Sequence, residues 1–102
     1  MKNIHLIERS AKYNRVSDTN DQWTTGTWVM SGDTAESLKG GNVYLHTKQN
    51  SPSYLGGEIL DCFKDGEGRY TIKFRFNPDA VNVTTEYCKN RWSVEMLLEP
   101  TE

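Results

Sequence analysis

Apolar and polar residues alternate with a period of two along most of this 102-residue chain, the repeat of a strand that turns one side to a core. The cleanest case runs from Arg69 to Phe76, with Tyr70, Ile72, Phe74 and Phe76 on one side and Arg69, Thr71, Lys73 and Arg75 on the other. A one-residue slip there would turn four large apolar side chains to water, so the register is strongly specified. Asp65-Gly66-Glu67-Gly68, just before it, reads as a hairpin turn, because its glycines supply the positive φ that tight turns demand. In the preceding run, residues 58–64, Leu60 and Cys62 oppose Ile59, Asp61 and Phe63. Both sides carry apolar groups, which predicts a central strand.

The stretch Gly40 to Leu60, GGNVYLHTKQNSPSYLGGEIL, organises the remainder. Over residues 42–48 the alternation turns Val43, Leu45 and Thr47 to the core and Tyr44, His46 and Lys48 away from it. A polar loop holding Ser51-Pro52-Ser53-Tyr54 follows, and then Gly56-Gly57 leads into the central strand. Upstream, residues 3–8 predict a short strand with Ile4 and Leu6 opposite His5 and Ile7, and residues 10–22 predict a polar loop built on Asn, Asp and Ser turns. Residues 23–30, WTTGTWVM, have the aromatic and β-branched character of a strand, with a bulge or a close backbone approach at Gly26. Asp33 and Glu36 have capping-box spacing, with Ser31 as an alternative cap. They predict a short helix over residues 34–39, ended by Gly40-Gly41. Toward the end, residues 81–85 predict a short edge strand. The last strand carries Trp92, Val94, Met96 and Leu98 inward and Ser93, Glu95 and Leu97 outward.

The fold class that follows is mainly β (α+β): a single domain over residues 1–102, with five or six strands and one short helix. So many strands in so short a chain favour a small, partly closed barrel, which buries its edges. At 11% aromatic residues the core is expected to be small and built on rings. The net charge of −2 excludes a bulk electrostatic drive toward phosphate backbones, so any nucleic-acid contact needs a local patch or a base pocket. No stretch approaches the ~20 apolar residues that span a bilayer, and the N-terminal residues lack a signal-peptide run. A cytoplasmic location without membrane contact is the expectation. There Cys62 and Cys88 are expected as free thiols, and the Asn82-Val83-Thr84 sequon is uninformative. No Cys-x-x-Cys or His-x-x-x-His spacing supports a metal, and no cofactor is expected.

The order of helix, Gly-Gly, strand NVYLHTK, loop SPSYLGG, strand EILDC and hairpin to RYTIKFRF resembles the small β-barrels of the PUA-like superfamily, which includes the PUA, EVE, ASCH and YTH domains. The resemblance covers roughly residues 23–76. The Gly-x-Lys-x-x-Glu-x-Arg motif of ASCH domains has no counterpart. The runs TWVMS, YLHTKQNSPSYLGGEI and RWSVE also resemble small bacterial or phage proteins, a resemblance that supplies no activity. A PUA-like fold implies binding of RNA or of a modified base in an aromatic-lined pocket, for which Trp23, Trp28, Tyr44, Tyr54 and Trp92 are available.

The ligand-binding candidates are Trp23, Trp28, Tyr44, His46, Lys48, Ser53 and Tyr54. His46 fits a base-edge hydrogen bond or general base as well as a cross-strand position. Ser53 and Tyr54 fit ligand contact or a structural turn. Trp23 and Trp28, five residues apart, face opposite sides of a regular strand, so one of them is expected to be exposed unless a bulge intervenes. Arg69, Lys73 and Arg75 are possible phosphate contacts or a solvated face. Nothing pairs Glu58 with Glu95. Three functions follow: a module binding a nucleobase, nucleotide or single-stranded RNA beside residues 44–57; a phage or mobile-element inhibitor of a host protein; and an ASCH-type nucleoside amidohydrolase, for which Lys48 and Glu58 are the nearest acid–base candidates.

Overall fold

A computed structural model describes residues 2–8, 13–17, 21–48, 51–84 and 96–100. The chain runs β1 (Lys2–Ile7), β2 (Tyr13–Ser17), β3 (Gln22–Val29), α1 (Gly32–Leu38), β4 (Asn42–His46), β5 (Ser53–Lys64), β6 (Arg69–Phe76), a 3-10 turn (Pro78–Ala80) and β7 (Met96–Pro100). All seven strands join one sheet in the order β2-β3-β6-β5-β4-β1-β7. β1 and β4 pair parallel and the other neighbours antiparallel. Among the described residues the architecture is mainly β with one α-helix. It has more strands than the sequence predicts, and no β2–β7 pairing closes the sheet among the described residues.

Register gathers the core on one face. Ile4 lies beside Val43, Leu6 beside Leu45, Leu45 opposite Leu55 and Ile59 opposite Phe74, and Ala35 and Leu38 of α1 pack against this layer. Ile72 and Phe74 are fully buried, as the alternation in β6 requires. Ser31, not Asp33, caps α1: its hydroxyl accepts from the Thr34 amide at 3.1 Å, so the helix starts at Gly32. It ends by Lys39, and Gly40 follows at φ 86°, a left-handed conformation that stops the helix.

Other expectations are corrected. Tyr13–Ser17, expected within a polar loop, is a strand paired with β3. Ser53 and Tyr54, also expected in a loop, begin β5. Residues 81–84 form no strand. They are tied to β5 where Ser53 N–H donates to Val83 O at 2.9 Å and Asn82 N–H to Ser53 O at 2.6 Å. In β7 Met96 packs against the core as expected, but Leu97, expected outward, is buried, and Leu98, expected inward, is exposed. Leu97 stands beside His5, and Leu98 beside Ile4, so the face bearing His5 is covered too. Trp92, Glu95 and Cys88 lie outside the described residues. The register of β3 shifts between Thr25 and Trp28, which brings Trp23 opposite Phe74 and Trp28 opposite Tyr70, on one side of β6. The bulge thereby removes the need for an exposed tryptophan: Trp28 is 4% exposed and Trp23 half-buried.

Candidate functional site

The predicted binding rim divides between the two faces of the sheet. Trp23, Trp28 and Tyr54 pack on the core side. Tyr44 and His46 lie on the other, at register positions beside His5 and Ile7, and Ser53 pairs with His46.

On that second face His5 and His46 are both fully buried. His5 Nδ1 lies 2.9 Å from His46 Nε2, and His46 Nδ1 lies 2.8 Å from the Ser51 carbonyl. A carbonyl only accepts, which assigns a proton to His46 Nδ1 and leaves neutral His46 to accept from His5 at Nε2. Tyr44 stacks on His5, with ring centroids 4.6 Å apart and planes 19° apart. The Ser53 hydroxyl donates to the Ala80 carbonyl at 2.6 Å and accepts from the Val83 amide at 2.9 Å. Tyr44, His46 and Ser53, candidates for a binding rim in the sequence, are engaged instead with His5 and with the backbone around them.

The core-side group is different. Glu8 continues the parity of Ile4 and Leu6 and is 3% exposed. Its amide donates to the His46 carbonyl at 2.8 Å, which extends the parallel pairing and fixes its position. The Thr25 hydroxyl lies 3.5 Å from Glu8 Oε2 and accepts from Trp28 Nε1–H at 3.2 Å. Tyr54 donates its phenol proton to the Glu8 carbonyl at 2.7 Å. Tyr13 stands between two rings, 5.8 Å from that of Tyr54 and 6.1 Å from that of Trp23, and the Arg15 guanidinium lies 5.8 Å from the Trp23 ring centre. Trp23 Nε1 is buried without a hydrogen-bond partner among the described residues. A buried donor left unmatched costs about 1–3 kcal/mol.

Tyr13, Glu8 and Thr25 were not among the sequence candidates. Parity with Ile4 and Leu6 was a usable signal for Glu8. Tyr13 gave none, because β2 has no apolar alternation.

The remaining candidates do not converge on this group. Glu58 pairs with Asn42 at one end of β4. Lys48 follows the other end of that strand, which closes at His46, so the strand register does not bring Lys48 beside Glu58. Arg69, Lys73 and Arg75 line the outward side of β6, with Arg75 3.8 Å from Glu58. Among the described residues no three His, Cys, Asp or Glu side chains converge as metal ligands. No described helix is long and apolar enough to cross a membrane.

Burial, followed by the charges of Tyr13 and Glu8, raises the Tyr54 phenol above its ordinary range. Burial, followed by Asp61, pushes the Cys62 thiol up to about 11. Both groups hold their protons more tightly folded than unfolded. Their contribution is complete below the ordinary thiol and phenol pKa values and is lost as pH rises through the folded ones. The melting temperature is therefore expected to fall from about pH 9 upward, and more steeply than in a Cys62→Ala, Tyr54→Phe double variant. Equal slopes in thermal scans from pH 8 to 10.5 would contradict this.

No family model, curated protein sequence or solved structure matches the chain. The functional reading therefore rests on the residues of the site.

Proposed function

We propose that this chain is a small binding module for a nucleobase, presented as a nucleotide or within single-stranded RNA, and that the base is taken up at the Tyr13–Trp23–Tyr54 cluster beside Glu8. The observation that carries the proposal is the buried Trp23 indole N–H without an acceptor, among half-buried rings. A planar ligand bearing an acceptor atom would satisfy that donor and stack on the rings, at about 1–3 kcal/mol per stacked base. A PUA-like, partly closed barrel fits this reading. β2 and β5 are three places apart in the sheet, about 14 Å if it were flat, yet Tyr13 and Tyr54 have ring centres 5.8 Å apart. Strong curling of the sheet accounts for that approach. A cytoplasmic setting, where nucleotides and RNA occur, belongs to the same proposal.

The test is a thermal-shift panel of nucleosides, modified nucleosides and short oligonucleotides. A ligand at a hundred times its Kd stabilises the fold by about 2.7 kcal/mol, and Tyr13→Ala should diminish the shift. A flat response across the panel at millimolar ligand would overturn the proposal.

A second reading, inhibition of a host protein by a phage or mobile-element product, is favoured by a separate observation. Phe63 and Val29 are 44% and 66% exposed, and Phe63 stands opposite Thr71, whose hydroxyl donates to Asp65 at 3.1 Å. Exposed apolar side chains suit a protein partner. Retention of a purified host partner after Phe63→Ser and Val29→Ser would exclude this surface.

A further inference from the structure

Access to the Trp23 indole N–H requires part of the fold to move. This inference rests on the base-binding reading. The indole nitrogen is buried and has no hydrogen-bond partner among the described residues, so a ligand acceptor reaches it only when an element now packed against Trp23 shifts aside. Two strands flank Trp23, with Phe74 of β6 opposite it on one side and Arg15 of β2 on the other. β6 is paired on both sides, with β3 and β5, and Phe74 is fully buried. Tyr54 is held by its hydrogen bond to the Glu8 carbonyl. β2 ends the sheet, and among the described residues it pairs with β3.

The build of β2 suits movement as a unit. Its ladder to β3 runs Tyr13–Thr25, Asn14–Thr24, Arg15–Trp23 and Ser17–Gln22, with a register shift between Arg15 and Ser17 that interrupts the regular pairing. Tyr13 and Arg15 alternate with exposed Asn14, so both lie on the side of the rings. The Tyr13 ring is 6.1 Å from that of Trp23, and the Arg15 guanidinium is 5.8 Å from the Trp23 ring centre. Arg15 also reaches Asp21 at 2.7 Å, and the Asp21 carbonyl accepts from the Phe76 amide of β6 at 2.8 Å. The ion pair thus joins β2 to a residue anchored on the central sheet, and an exposed pair of this kind holds loosely.

We infer that β2 is a strap over the base site. It parts from β3 to admit the base, and it closes again with Tyr13 against the bound ring and the ligand's acceptor on Trp23 Nε1–H. In the closed, empty state the indole donor is unmatched, which favours opening, because water then reaches it. In the bound state the donor has its acceptor and the base stacks on Tyr13, which favours closure. The ligand therefore shifts an equilibrium between open and closed strap in proportion to its preference for the closed form.

The experiment locks the strap. Asn14→Cys with Thr24→Cys places two thiols at directly opposed positions of β2 and β3, on the face away from the rings, in a chain that also carries Cys62→Ala and Cys88→Ala so that only the new pair can form. GMP, AMP, CMP and UMP are titrated against the reduced and the oxidised form of this one protein. The reduced form is expected to bind as the unaltered chain does. Oxidation is expected to slow association of the tightest-binding nucleotide by at least about 10-fold, because binding then lacks the conformational step it needs. Equal association rates for the two forms would overturn the strap and leave base binding standing. Amide hydrogen exchange of the unaltered chain decides alone if the cysteine variant does not fold. The β2 amides are expected to exchange at least about 10-fold faster than those of β5 and β6, by local opening, and to slow when the nucleotide saturates. Exchange of β2 at the rate of β5 and β6, or no slowing with bound nucleotide, would overturn the strap. Failure of all four nucleotides to bind the unaltered chain would overturn base binding itself, and the strap with it.

Discussion

Gly57→Ala is expected to cost at least about 3 kcal/mol or to prevent folding, at or beyond the upper end of ordinary overpacking. Gly57 is buried in β5, with Val43 of β4 on one side and Phe76 of β6 on the other. A Cβ there would run into the Arg75 carbonyl, with the Arg75 carbonyl carbon at 2.7 Å and Phe76 Cα at 3.0 Å. These obstacles are backbone in a hydrogen-bonded neighbour, so relief requires the two strands to separate. β5 is held on both sides, and a domain of this size has only about 5–15 kcal/mol of total stability. Gly68→Ala is the control: nothing lies within 4 Å of its added Cβ. Its φ of 67° alone should cost about 1–2 kcal/mol. Urea unfolding of the two variants checks both values, and a Gly57→Ala loss no greater than that of Gly68→Ala would refute the close approach.

The second large effect is expected at the buried histidines. His46→Ala removes the acceptor of His5 Nδ1–H and the donor to the Ser51 carbonyl, and it opens a cavity beside the His5 ring. The combined loss should be about 3–4 kcal/mol, from the unmatched polar groups and the cavity. Leucine at both positions removes the two facing nitrogens together. The His5→Leu, His46→Leu double variant should therefore lose less than the sum of its single variants, by about 0.5–3 kcal/mol. Strictly additive losses in urea titrations would mean that the 2.9 Å contact contributes no coupling.

These two places also mark how far the sequence could be read. The side chains of β6, the hairpin before it and the central place of β5 were legible because a period of two over eight residues admits one register. β2 was not. Asn14 and Arg15 are exposed, and the strand depends on pairing with β3, to which the exposed Arg15–Asp21 ion pair at 2.7 Å adds little. An edge strand of that kind carries no apolar alternation to read.

The candidate site was half legible, for the same physical reason. Trp23 and Tyr54 were named because rings near strand ends are visible in any sequence. Their grouping with Tyr44, His46 and Ser53 failed, because a bulge between Leu45 and His46 in the β4–β5 pairing leaves Tyr54 on the core side while Ser53 pairs with His46. His46 reads as a rim residue in the sequence because the parallel pairing that brings it to His5 joins residues 39 positions apart. No local pattern encodes that contact. The same holds for Tyr13, whose ring lies 5.8 Å from that of Tyr54 although β2 and β5 are three places apart in the sheet.

The most direct test of base binding is the indole N–H of Trp23 itself. In ¹H–¹⁵N spectra its signal is identified by its loss in Trp23→Phe and followed during titration with the tightest-binding of GMP, AMP, CMP and UMP. The expected result is a progressive downfield displacement of that resonance that saturates with ligand, as the buried proton acquires an acceptor. A Trp23 signal that stays in place while that nucleotide is otherwise shown to bind would contradict uptake of the base at this cluster.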